Sequence, residues 1–216
     1  MSMSLTLVQA CPLCSHPSAF FYEDTRGKYF RCKECCGVFL DRAFLLSRNE
    51  EQARYEEHNN DIDDVGYQKF VSPITNSIMR DFTPDHDGLD FGAGTGPVIT
   101  KVLTDHQYCI KLYDPFFHNE PALLGKQYDY IACCEVIEHF HYPSKEFALL
   151  RGCLRPGGKL YCMTDLFHDA LDFKNWYYRN DPTHVFIYCE RTCEWIKETF
   201  NFSSVTVDGR LVTFAR

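Results

Sequence analysis

Leu89-Asp90-Phe91-Gly92-Ala93-Gly94-Thr95-Gly96-Pro97 opens as an apolar strand and runs into a helix whose apolar residues are Val98, Ile99, Val102 and Leu103. Pro97 suits the first helical position, where its missing N–H costs nothing and its fixed φ is already helical. Glycines at alternate positions let the backbone turn sharply and leave no Cβ between it and a ligand, while the helix start offers unpaired N–H groups. Taken alone, such a turn is either a tight strand-to-helix connection or a seat for a planar or polar ligand. The next strand, Cys109-Ile110-Lys111-Leu112-Tyr113, favours the seat. It ends at Asp114, twenty residues after Gly94, where a carboxylate can take both hydroxyls of a ribose. Gly-Ala-Gly-Thr-Gly has no two-residue gap before its third glycine, which argues against the dinucleotide fingerprint and so against NAD.

Outward from this turn, strand-like and helix-like runs alternate from Pro84 to the C-terminus, the pattern of an α/β parallel sheet. Ser144 to Leu154 reads as a helix stopped by Pro156-Gly157-Gly158, Lys159 to Met163 as a strand and Glu190 to Phe200 as a helix. Ser203 to Val207 and Leu211 to Phe214 read as a closing hairpin. Upstream, Ser47 and Glu50 have capping-box spacing ahead of a polar, mostly exposed helix that Asn59-Asn60-Asp61 ends. Tyr67, Phe70, Val71, Ile74 and Ile78 recur at steps of three to four and predict a second helix despite Pro73.

Residues 1 to about 42 read as a separate small module. Cys11 and Cys14 form one C-x-x-C pair, Cys32 and Cys35 another, with 17 residues between them. That spacing suits a tetrahedral zinc site, in which each knuckle turns two thiolates toward one ion. Cys36 directly follows Cys35 and is an alternative fourth ligand. Aromatic stretches around Phe20 and Tyr29, broken by Asp24-Thr25-Arg26-Gly27, read as two strands and a turn. A module this small buries little apolar surface, so a metal crosslink supplies what its core lacks. Four thiolates leave no open coordination position, which makes such a zinc structural. The expected division is a zinc module (1–42), a helical linker or lid (43–82) and the α/β domain (83–216).

The 216 residues are 45% apolar and 15% aromatic, ample for a buried core, with 22 basic and 30 acidic residues and a net charge of −8. That sign disfavours bulk nucleic-acid binding. No apolar run is long enough to span a bilayer and the first residues do not resemble a signal peptide, so a soluble, cytoplasmic protein is expected. The twelve cysteines then read as reduced thiols or metal ligands.

DFGAGTG at residues 90–96, YDP ending at Pro115, YDYIACCEVIEHF from Tyr128 and LRPGGKLYCMTD from Leu154 form an ordered series. It resembles that of class I S-adenosylmethionine-dependent methyltransferases over roughly residues 43 to 216. The resemblance implies a Rossmann-like sheet and S-adenosylmethionine as cofactor. Asp90, Phe91 and Ala93, with the backbone around Gly92, Gly94 and Gly96, would surround the methionine part and Asp114 would hold the ribose. Glu135 and Val136 would lie beside the cofactor, followed by Glu138 and His139. Only fourteen residues separate Asp114 from Asp129, where such enzymes place a helix and a third strand, so that strand is expected to be missing or shortened. Adenine contacts are thereby left open, with Pro115 and Phe116 as flanking candidates.

Methyl transfer from a sulfonium needs an aligned nucleophile, exclusion of water and, for many acceptors, removal of a proton. Phe173 to His184, after the fifth strand of the expected sheet, offers aromatics for a pocket wall, Arg179 for an anion and His184, whose intrinsic pKa suits a general base. The same aromatics would equally pack a loop onto a sheet. Asp165 and His139 are competing bases. Tyr67 and Phe70 are candidates for a lid, and Arg54, Tyr55, His58 and Asn59 for covering positions. Three functions follow: methyl transfer to a small molecule; methyl transfer to RNA or protein read by the zinc module, whose basic residues are Arg26, Lys28, Arg31, Lys33 and Arg42; or cofactor binding without turnover.

Overall fold

Two sheets carry the molecule, and both draw strands from the C-terminal half. The computed structural model describes residues 8–57 and 61–216. His58 and the Asn59-Asn60 helix stop lie outside the described residues. In chain order the elements are β1 (Val8–Ala10), β2 (Pro17–Asp24), β3 (Gly27–Cys32), β4 (Val38–Leu40), α1 (Arg48–Glu56), α2 (Val65–Asp81), β5 (Asp87–Phe91), α3 (Val98–Asp105), β6 (Cys109–Tyr113), β7 (Tyr128–Cys134), α4 (Pro143–Cys153), β8 (Leu154–Met163), β9 (Phe186–Ile187), α5 (Glu190–Thr199), β10 (Ser204–Asp208) and β11 (Leu211–Ala215). Among the described residues no helix is long and apolar enough to cross a membrane.

The larger sheet has the order β10-β11-β8-β7-β5-β6. Strands β6, β5, β7 and β8 are parallel, and the β10–β11 hairpin closes the sheet antiparallel against β8. Among the described residues no further strand pairs beyond β6. The chain from Asp114 to β7 makes one bridge, between Asp114 and His118, and one turn of 3-10 helix, Pro121–Gly125. The expected loss of the third strand is therefore realised, and β6 is the edge. Alternation along β7 sorts the helices: Tyr130 and Ala132 pack with α2 and α3, Ile131 and Cys133 with α4 and α5.

Local signals explain most boundaries. Ser47 Oγ accepts from the Glu50 N–H at 3.4 Å and Glu50 Oε2 accepts from the Ser47 N–H at 2.8 Å, so the capping box starts α1. Pro73 sits inside α2, whose buried face of Val71, Ile74 and Ile78 outweighs the lost hydrogen bond. Strand β8 begins earlier than expected: Leu154 already pairs with Tyr128, and the Pro-Gly-Gly run bulges out before Lys159 meets Tyr130. Gly157 permits this bulge at φ +81°.

The smaller sheet has the order β1-β2-β3-β4-β9, antiparallel throughout. Its last strand comes from far along the chain: Val38 pairs with Ile187 and Phe39 with Phe186. One face of this sheet joins the core of the larger one through Phe30, Phe39 and Phe186. The other face, with Tyr29, Val38 and Leu40, is covered by Phe167, Phe173, Trp176 and Tyr178.

Candidate active site

At the C-terminal end of β5 the glycine turn is tied down from two sides. The N–H groups of Gly92 and Ala93 donate to the Tyr113 carbonyl at 2.8 and 3.2 Å. Gly92 has φ +79°, and a Cβ there would lie 2.4 Å from Val136 Cγ2, so position 92 excludes any side chain. The Gly94 N–H donates to Asp114 Oδ2 at 3.0 Å, and those of Phe116 and Phe117 donate to Oδ1 at 2.8 and 3.1 Å. A carboxylate has about four acceptor positions. Three of these positions on Asp114 are taken up inside the protein.

Asp90 lies beneath the turn, 3% exposed, where its Oδ2 accepts the Thr100 hydroxyl at 2.8 Å. Burial pushes its carboxyl up to about 6, against that hydrogen bond. Asp90 links the turn to α3 and does not line the cavity above; Gly96 does not line it either.

That cavity has a volume of about 530 Å³ and is lined by the other expected cofactor residues, Phe91, Gly92, Ala93, Gly94, Asp114, Pro115, Glu135 and Val136, together with His184. Tyr55 from α1 and Tyr67 and Phe70 from α2 wall it from above, the last two with rings stacked at 5.9 Å. Helix α1 is pinned there by Arg48, which donates to the Pro115 carbonyl at 2.6 Å and covers the Phe116 ring at 4.4 Å.

Polar groups converge at one end. Glu135 follows β7 at φ +51°, an uncommon conformation for a side-chain-bearing residue. Its Oε2 accepts from Arg210 at 2.6 Å and from the Tyr178 hydroxyl at 3.4 Å, while Oε1 is enclosed without a partner among the described residues. Burial, reinforced by Glu138, pushes the Glu135 carboxyl up to about 8 despite Arg210. Glu138 is fully buried and accepts hydroxyl hydrogens from Tyr178 and, at 3.1 Å, from Thr164. Burial raises it to about 7 against those two bonds.

His139 and His184 stand edge to face with centroids 4.9 Å apart. His139 Nδ1 meets the Thr183 carbonyl at 2.9 Å and His184 Nδ1 meets the Tyr178 carbonyl at 2.6 Å. A carbonyl only accepts, so in each ring Nδ1 holds the proton and Nε2 a lone pair. Burial, with His139 alongside, pushes His184 down to about 3, and burial also lowers His139. His184 is therefore neutral at physiological pH and a weaker base than its free imidazole.

The rest of the expected acceptor loop turns away. Phe173 and Trp176 cover the small sheet, and the Tyr178 ring joins them while its hydroxyl reaches back to Glu138. Arg179 is 2% exposed, pairs with Asp24 at 2.6 Å and donates to the Phe173 carbonyl at 2.5 Å, so it is committed inside the fold. Asp165 accepts the Tyr177 hydroxyl at 2.8 Å. Arg48 and the Glu51–His141 pair at 2.6 Å line the cavity and escaped the sequence reading, as did the contact by which Arg210 reaches Glu135 from the closing hairpin. Arg48 and Glu51, which adjoin the recognised Ser47–Glu50 cap, had a nearby signal.

In the small sheet the sulfurs of Cys11, Cys14, Cys32 and Cys35 all lie within 4.8 Å of one another. Cys11 and Cys35 are 3.6 Å apart and Cys14 and Cys32 3.3 Å. Cys36 stands outside the group, at φ +60°, with its carbonyl 3.8 Å from Cys189 Sγ.

The profile of the Methyltransferase domain family matches residues 44–207, more than half of the chain, and the chain belongs to that family. No curated protein matches it by sequence. Among solved structures, it is similar to a 1,6-didemethyltoxoflavin-N1-methyltransferase of Burkholderia thailandensis, solved with 1,6-didemethyltoxoflavin and S-adenosylhomocysteine. That similarity has a TM-score of 0.55 and 14% identity, over 91% of this chain and 98% of that one. A SAM-dependent methyltransferase of Archaeoglobus fulgidus is similar with a TM-score of 0.54 and 14% identity, over 82% and 100%. An O-methyltransferase family protein of Burkholderia thailandensis is similar at 0.53 and 11% identity over 76% of this chain, which spans 61% of that protein. These likenesses concern the fold.

Proposed function

We propose that the chain transfers the methyl group of S-adenosylmethionine to a small-molecule acceptor. The observation that carries this reading is one cavity lined by both the glycine turn with Asp114 and the polar group of Glu135, His139 and His184. In it, Asp114 takes a ribose hydroxyl, the backbone of the turn faces the methionine part, and Pro115 and Phe116 flank the adenine. Asp90 and Gly96 shape the turn. Transfer is an in-line displacement: the acceptor atom bonds the methyl carbon as the S–C bond breaks, and its electron pair returns to sulfur. Tyr55, Tyr67 and Phe70 exclude water above the reacting atoms. His184 is the proposed proton acceptor, its Nε2 lone pair free at neutral pH.

Cys11, Cys14, Cys32 and Cys35 are proposed as ligands of a structural zinc. Zinc bound to four thiolates at about 2.3 Å sets sulfurs roughly 3.8 Å apart, close to the observed separations. Such thiolates fit a reducing compartment such as the cytoplasm. In this reading residues 1–42, with β9 added from the C-terminal half to complete their sheet, form the zinc module, 43–82 the linker and lid, and 83–216 the methyl-transferring domain.

Reading of RNA by the zinc module is disfavoured because three of its five basic residues are already paired: Arg26 with Asp24, Arg31 with Asp169 and Lys28 with Glu23. Calorimetric titration with S-adenosylhomocysteine, with NAD in a parallel cell, tests the cofactor. Micromolar binding of the former alone is expected, and its absence removes the proposal. Labelled methyl transfer into small-molecule extracts, compared with RNA and protein fractions, tests the acceptor class; binding without transfer to any fraction would leave a noncatalytic binder.

A further inference from the structure

Glu138, His139 and His184 each place one ligand atom within 4.8 Å of the other two. The carboxylate lies behind and the two imidazoles stand at the cavity wall. Both imidazoles are oriented in the same way, with Nδ1–H spent on a backbone carbonyl and Nε2 without a hydrogen-bond partner among the described residues. His184 Nε2 is 3.9 Å from Glu138 Oε1, too far for a hydrogen bond and close enough for one ion at about 2.1 Å from each to reach both. Tyr178 and Thr164 hold the carboxylate from behind, so all three side chains have the outer partners that fix metal ligands in place. Close by, Glu135 Oε1 is an enclosed acceptor with no donor. Arg210 donates to the other Glu135 oxygen, Oε2, and the two imidazole Nε2 lone pairs have no donor among the described residues.

We propose that Glu138, His139 and His184 bind a divalent first-row transition ion at the acceptor end of the cavity. Two imidazole nitrogens with a carboxylate oxygen suit Mn²⁺, Fe²⁺, Co²⁺ or Zn²⁺, whereas Ca²⁺ and Mg²⁺ favour oxygen ligands throughout. Three protein ligands leave positions open, and the imidazoles present them to the cavity. The ligand class for those positions is an acceptor that offers an oxygen, a hydroxyl or two adjacent ones, which narrows the methyl-transfer reading on which this rests to oxygen acceptors. A cation there acts as a Lewis acid that lets a bound hydroxyl release its proton to solvent, so that the resulting oxygen bonds the methyl carbon as the S–C bond breaks and its electron pair returns to sulfur. The Nε2 lone pair of His184 cannot both hold an ion and take a proton, so this assignment replaces its general-base role.

The test is titration of the zinc-loaded protein with Mn²⁺, followed by electron paramagnetic resonance. Mn²⁺ is chosen because thiolate sites favour softer ions. The expected result is one equivalent bound per chain, with imidazole nitrogen couplings in the pulsed spectrum. His139→Gln and His184→Gln should each weaken binding at least tenfold, and the exposed His106→Gln should leave it unchanged. S-adenosylhomocysteine binding, measured in metal-free buffer, reports separately on the methyltransferase reading and on whether the variants fold. Failure of wild type to bind Mn²⁺, absence of nitrogen coupling, or equal binding by folded His139 and His184 variants would overturn the ion site even where S-adenosylhomocysteine binds.

Discussion

Arg54 and Asp181, 127 residues apart in sequence, meet at 2.9 Å and fasten α1 to the loop that carries His184. Burial alone would raise the Asp181 carboxyl, but the Thr183 hydroxyl and N–H and the Arg54 guanidinium outweigh it and hold it at about 2. A carboxyl lowered on folding stabilises the native state above its unfolded pKa and loses that contribution as pH falls through its folded one. Asp181 should thus contribute about 2 kcal/mol at neutral pH, fading between pH 4 and pH 2. Asp181→Asn should lower stability at pH 7 by that order and show a shallower fall on acidification. Denaturant unfolding at pH 7, 4 and 3 measures it; parallel curves for the two proteins would contradict the assignment.

Gly92→Ala should be more damaging than its single methyl suggests. The new Cβ meets Val136 Cγ2 at 2.4 Å and the backbone holds φ +79°. The left-handed conformation alone costs about 1–2 kcal/mol for a residue with a Cβ. Adding Val136→Ala relieves the clash but not the conformation, so the double variant should recover part of the lost melting temperature. Full recovery would show that the backbone is not strained.

Asp114→Ala should weaken S-adenosylhomocysteine by about 1.5–3 kcal/mol, the scale of hydrogen bonds to a charged group. It should also loosen the unliganded protein, because Gly94, Phe116 and Phe117 all donate to this carboxylate. Faster amide exchange at those three positions before any ligand is added is the distinguishing readout. Exchange unchanged from wild type would reduce Asp114 to a ligand contact.

Removing the proposed zinc should destabilise the small sheet before the large one. Elemental analysis should find one zinc per chain, lost in Cys14→Ser and retained in Cys36→Ser, since Cys36 stands outside the sulfur group. Zinc retained in Cys14→Ser and lost in Cys36→Ser would reassign the fourth ligand.

What the sequence disclosed was local. The Ser47–Glu50 cap, the hairpin after α5 and the missing third strand each rest on neighbouring residues or on a count between landmarks, and each is realised. The glycine turn and Asp114 were legible for the same reason. Phe173, Trp176 and Arg179 were not, because an aromatic loop looks alike whether it walls a cavity or covers a sheet. Its partners, Tyr29 and Asp24, lie about 150 residues upstream. Arg210 gave no signal, as a basic residue in a hairpin turn is ordinary until Glu135 is found beside it. His184 was singled out by its place in the chain, but the pair it makes with His139 needed three dimensions.

The pairing of β4 with β9 bears on how the chain is made. About 150 residues separate Leu40 from Phe186, and a ribosome adding roughly 5–20 residues per second needs on the order of ten to thirty seconds to supply the missing strand. Throughout that interval the backbone edge of β4 is open to any other nascent strand. The sheet begun first is therefore among the last to be completed, and cysteine knuckles that can close early give it a foothold while it waits.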